Sequence, residues 1–292
     1  MKSRTDPRLL TGLHKMQRAY RGLLSTRSAA IDQYNADKDA LDARWQAELT
    51  PVLQDLYWHP FRNGIGEAPE DADKLREWLE DRLTDAATIA VLLLLLQRYH
   101  VQAANLGGQT ALNLLDLDAT FALTNEAYLQ QMADRAAMLT TQGSEQSLID
   151  TTINDLATAL PAARASAEGV LMALAAYITS RAAQRTVLIE RYERPWGVAN
   201  GLGWTYQHNG VGYVMYDVNG VGCPQICAPD HGLIFPLGAR GRSLPRHSGC
   251  DCIWSAVRYN GQTVGFPPVT VSVPGLAPWT PPAQPWTGGA LP

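Results

Sequence analysis

The chain changes material at Trp196, and this break constrains its fold more than any other feature. Of 52 charged residues, 24 Lys+Arg and 28 Asp+Glu, only seven fall in residues 196–292. That same stretch holds 16 of the 24 glycines and 12 of the 18 prolines. The front is composed for helix, and the back for strands, turns and loops. The expected fold class is α+β. An N-terminal all-α helical bundle with long helices takes residues 1–195, and a small β-rich cysteine domain takes 196–266. An extended Pro-rich arm follows over 267–292.

In the front part, Leu9, Leu13, Met16, Tyr20 and Leu24 recur at helical steps, as do Leu41, Trp45, Leu49, Leu53 and Leu56. This predicts a first helix over about 7–57, kinked or restarted at Thr50-Pro51. A loop follows, broken by Pro60, Gly64, Gly66 and Pro69. Glu70-Asp71 then opens a second helix that continues through Trp78 and Leu83 into a leucine run, apolar on every face and so expected in the core. Thr124 and Ser144 are good N-caps for two more helices, and a further one is expected over about 163–193. Gly107-Gly108, Gly143 and Pro161 read as punctuation between them.

In the back part, GYVMYDV (212–218), GLIFPL (232–237) and IWSAVRY (253–259) are candidate strands, with Asn219-Gly220 a strong turn pair. After Pro268 prolines and glycines argue against a packed element. Trp279 and Trp286 are costly to leave in water, so the arm is expected to dock on a neighbour or on its own domain, and both are candidate partner-binding residues.

A net charge of −4 argues against a chain whose main work is coating nucleic acid. The start, MKSRTDPRLL, lacks the apolar core of a signal peptide. The membrane-like stretch at 86–96 is eleven residues, where spanning takes about 20. A soluble chain made in a cytoplasm, with no membrane span, is expected. There is no glycine-rich phosphate loop, HExxH helix or nucleophile elbow, and no enzyme is expected.

All four cysteines lie within thirty residues, as Cys223-Pro-Gln-Ile-Cys227 and His247-Ser-Gly-Cys250-Asp-Cys252. Two pairs about twenty residues apart, among strands and turns, suit a tetrahedral zinc site. The ligands would be Cys223, Cys227, Cys250 and Cys252, with His247 able to replace one sulfur. Four protein ligands make such a site structural. Disulfides or free structural thiols remain open, as does a catalytic cysteine, and His231 is a further candidate donor. Between the pairs, Arg240, Arg242 and Arg246 form a basic loop, either solvated or in contact with DNA or an acidic partner.

CPQICAPDHGLIFPL followed by PRHSGCDCIW resembles the C-terminal domain of the Mu F-like head morphogenesis proteins of tailed bacteriophages. That signature is a cysteine pair two or three residues apart, an "hG..f" strand and a closing "HP.CRC" element. The matching positions are Cys223, Cys227, Gly232, Phe235, His247, Cys250 and Cys252. Upstream, residues 117–139 and 180–201 resemble that family's helical segments, so the likeness covers about half the chain. Here the closing element reads HSGCDC, and IERYE stands where the family has IARTE.

The resemblance implies a minor capsid protein in the virion head. It would associate with the portal protein at its vertex or with the major capsid protein, touch packaged DNA, and assemble in multiple copies in the host cytoplasm. The alternative is a zinc-stapled nucleic-acid-binding module acting on phage DNA through its arginine loop.

Overall fold

The computed structural model describes residues 7–83, 86–141, 143, 147–217, 226–230, 233–238, 244–247, 249–257 and 279–290, with the side chains of α1 described from residue 29. Helix α1 (Pro7–Trp58) is 52 residues long, about 78 Å at 1.5 Å per residue. Then come α2 (Ala72–Leu83), α3 (Ala86–Leu114), α4 (Glu126–Thr140), α5 (Leu148–Arg164) and α6 (Val170–His208). Three short strands close the order: β1 (Tyr213–Asp217), β2 (Ile234–Pro236) and β3 (Ile253–Ala256). β1 is central, antiparallel to both neighbours, with Val214 opposite Phe235 and Ala256. The layout is α+β.

The second half of the α1 stripe is buried as expected, from Leu41 through Leu56. Leu9 to Leu24 belong to α1, but their side chains lie outside the described residues. Pro51 does not restart the helix, which runs on to Trp58. Asp71 opens α2 as predicted, its carboxylate accepting the Lys74 amide at 3.0 Å. The caps of α4 and α5 sit slightly downstream of the predicted ones. Asn125 rather than Thr124 accepts the Tyr128 amide, and Ser147 accepts that of Asp150. Ser144 lies outside the described residues, as does the Asn219-Gly220 turn.

The leucine run starts a helix of its own. Leu92, Leu95 and Leu96 are buried, whereas Val91 and Leu94 are 53% and 66% exposed, so one face of the run is not core. The apolar stretch is also longer than eleven residues. By length and composition alone, Ile89–Leu114 could cross a membrane. Its one face packs on α6 through small residues, and it carries buried His100, whose Nε2 lies 3.0 Å from Glu193.

The break at 195/196 does not coincide with the end of an element. α6 carries the chain through Pro195 to His208, and Gly197 and Gly201 lie inside it. These glycines and Gly107-Gly108 of α3 are a packing seam, not punctuation. A Cβ on Gly201 would stand 2.0 Å from the Ala104 carbonyl oxygen, and one on Gly107 2.1 Å from that of Val198. Only hydrogen fits there, so the two backbones touch and the helix keeps its glycines despite their entropic cost. Pro161 likewise sits inside α5, near its end, while Gly143 does punctuate, at φ 81°. One core joins the helices to the sheet, running from Tyr34 of α1 through Leu202 of α6 to Val214, Cys250 and Ile253.

Candidate metal centre

Cys227, Cys250 and Cys252 are all buried, and their sulfurs lie within 4.8 Å of one another. Cys227 and Cys250 are 3.9 Å apart, far beyond the ~2.05 Å of an S–S bond, and no disulfide joins the three. His247 Nε2 stands 3.3 Å from Cys227 Sγ. Cys223, His231, Arg240 and Arg242 lie outside the described residues.

Short local turns deliver these donors. After Cys227 the chain makes one 3-10 turn, with the Asp230 amide on the Cys227 carbonyl at 3.0 Å. Between His247 and Cys250 a second turn closes through the Cys250 amide on the His247 carbonyl, and Gly249 takes φ 68°. Cys252 immediately precedes β3. The third support is Tyr216 of β1, whose hydroxyl donates to Cys227 Sγ at 3.3 Å. Burial, together with that bond to Cys227, raises the Tyr216 pKa and keeps the phenol neutral. Cys252 donates to Cys250, which lowers the Cys250 thiol to about 4 and pushes Cys252 up. That bond favours the thiolate on Cys250, and a thiolate is the form that binds metal. Three convergent soft donors can hold a metal ion.

The cluster is fixed to the bundle at residues 191–195 of α6, just before the compositional break. Pro195 has no N–H for the Arg191 carbonyl one turn back, and the Gly249 amide takes that acceptor at 2.8 Å. Next to it, Arg194 is 3% exposed, with Nε 2.8 Å from Asp42 of α1 and Nη2 2.8 Å from Asp251, the residue between the two cysteines. Lys38 adds a 3.3 Å contact to Asp251. Burial drives the Asp42 carboxyl up to about 7, although Arg194 pulls the other way. One residue earlier, Glu193 accepts two bonds from Arg135, at 2.7 and 2.8 Å, and one contact from buried His100 at 3.0 Å. Residues 193–195 thus tie α1, α3, α4 and the cysteine turn to one stretch of α6. The local signals were a run of charge and the IERYE stretch, and neither announces these contacts.

Arg246 is engaged within the centre. Its guanidinium pairs with Asp230, reaches the Ile226 carbonyl at 3.4 Å and lies 5.8 Å from the centre of the Tyr216 ring. Its charge is paired within the centre. The two arm tryptophans also sit on their own chain. Trp279 donates to the Asn209 carbonyl at 3.0 Å, and Trp286 is 8% exposed in an aromatic cluster with Phe121 and Tyr128. Trp286 is thus docked on its own domain, one of the two placements expected of the arm.

No protein-family model, curated protein or solved structure matches the chain.

Proposed function

We propose that the chain is a structural protein of the tailed-bacteriophage head, a minor capsid or head morphogenesis component whose cysteine element is closed by one structural zinc ion. The observation that carries this reading is the meeting of Cys227, Cys250 and Cys252 at one buried point, with His247 Nε2 3.3 Å from the Cys227 sulfur. These are positions on which the likeness to the Mu F-like proteins rests. Tetrahedral zinc with ~2.3 Å bonds spaces its sulfurs ~3.8 Å apart, and the 3.9 Å between Cys227 and Cys250 fits that edge. Soft thiolates favour zinc over magnesium or calcium. His247 supplies the fourth donor, with Cys223 the other candidate.

With four protein ligands no coordination position stays open for water, so such a centre would stabilise and not catalyse. Its chemistry is a staple. Three strands of five, three and four residues have little core of their own, and folding energy drawn from metal binding offsets that deficit. Arg194 and the Arg191 carbonyl, which accepts the Gly249 amide, then orient the stapled turn on the helices. In the head, the chain would meet portal or major capsid subunits at the vertex in several copies.

Quantitative peptide mass spectrometry on DNA-filled heads and empty procapsids, scaled to portal protein, tests the reading. A fixed, low ratio to portal is expected. Absence from both particles overturns it.

A further inference from the structure

The segment around Trp286 is held like a peptide ligand. Backbone bonds join it to the stretch before α4: Ala122 N–H to the Thr287 carbonyl at 3.0 Å, and the Thr124 and Asn125 amides to the Gly288 carbonyl at 2.8 and 2.9 Å. Asn209, just past the end of α6, brackets Trp286. Its amide oxygen accepts the Trp286 N–H at 3.0 Å, and its amide nitrogen donates to the Trp286 carbonyl at 3.2 Å. The indole enters a pocket of Phe121, Tyr128 and His208, with ring centres 5.6, 6.0 and 4.7 Å away, and Trp204 stacks on Tyr128 at 4.0 Å. Gly288 has φ 97°, and a Cβ there would stand 2.3 Å from the Ala122 carbonyl oxygen. Main-chain pairing gives affinity, and the Trp pocket with its glycine-only neighbour gives selectivity.

We infer that this cleft is a recognition site for a Trp-Thr-Gly-Gly peptide, and that in a multi-copy assembly it takes this segment from a second copy of the chain. Every bond named above is made by residues 286–289, so an arm from another copy would make the same set. Residues 258–278 link the segment to β3, 21 positions with a contour of about 70 Å. That length lets an arm reach either its own cleft or a neighbour's. A tether of this length gives an effective concentration on the order of millimolar. Closely packed copies reach the same range, which makes exchange thermodynamically cheap. The second copy as occupant rests on the multi-copy assembly proposed above, whereas the cleft itself does not.

Two full-length variants test it. Gly288→Ala disables the arm and leaves the cleft. Asn209→Asp disables the cleft, by replacing the amide donor to the Trp286 carbonyl, and leaves the arm. A labelled peptide of residues 279–290 should bind Gly288→Ala saturably and bind the unaltered chain about 100-fold more weakly, because the tethered arm competes. The same peptide carrying Gly288→Ala should not bind. An equimolar mixture of the two variants should sediment as a 1:1 dimer, with each alone monomeric. Thermal unfolding of each variant first establishes that it is folded. A folded Gly288→Ala chain that ignores the peptide, or binds both peptides equally, overturns the cleft. A mixture that stays monomeric overturns the second copy as occupant.

Discussion

The amide of Gly249 donates to the carbonyl of Arg191 at 2.8 Å, on the acceptor that Pro195 leaves free inside α6. A proline that would otherwise cost the helix a hydrogen bond becomes the seat of the cysteine turn. Proline in a helix interior costs about 3 kcal/mol, and satisfying the orphan carbonyl recovers part of that. Pro195→Ala restores a competing N–H. The expected result is faster hydrogen exchange at the Gly249 amide, with a newly protected amide at position 195. Unchanged exchange at Gly249 would contradict this arrangement.

Arg194 holds two carboxylates from different parts of the fold, so its loss strands both. Arg194→Met should destabilise the chain by about 3 to 5 kcal/mol in urea unfolding, the range for breaking a buried pair. Asp251→Asn removes one arm of the bridge and should cost less. Equal, small effects from both would mean that the contacts contribute little.

The α3–α6 seam has no room for a methyl group. Gly201→Ala or Gly107→Ala must push backbone from backbone and should cost about 3 kcal/mol or more. Gly66→Ala, with nothing within 4 Å of the added Cβ, should stay within about 1 kcal/mol of the unaltered chain. Thermal melts of the three variants give the comparison directly.

These same glycines explain where sequence reading stopped. The long first helix, the Asp71 start and all three strands follow from periodicity and turn chemistry, which act locally. The boundary at 195 did not hold as the end of an element because Pro195, Gly197 and Gly201 carry the same letters whether they break a helix or seat it against a neighbour. Gly249 is 54 positions beyond Pro195, and Asp42 is 152 before Arg194. No local pattern announces either contact. Of the cysteine centre, Cys227, Cys250, Cys252 and His247 were legible from clustering alone. Their anchoring to α6 was not, nor was the engagement of Arg246 by Asp230.

Glu193 is the clearest source of acid sensitivity. Burial alone would raise its carboxyl, but hydrogen bonds from His100 and Arg135 outweigh it and leave the pKa below the ordinary 4.5. A folded-state pKa below the unfolded value gives stability that is present above about pH 4.5 and lost as pH falls through the folded pKa. Glu193→Gln removes this contribution. It should be less stable at pH 7, and its stability should fall less steeply below pH 4.5. Parallel curves for the two proteins would place the acid sensitivity elsewhere.

The most direct test is metal content of the protein purified without chelator, measured by plasma mass spectrometry beside Cys250→Ser and Cys252→Ser. The account predicts about one zinc per chain, lost in both variants. It also predicts that removing zinc with a strong chelator exposes the segment around residues 226–257 to protease while the helices persist. A metal-free protein whose thiols titrate freely, and whose protease pattern is the same with and without chelator, would contradict it.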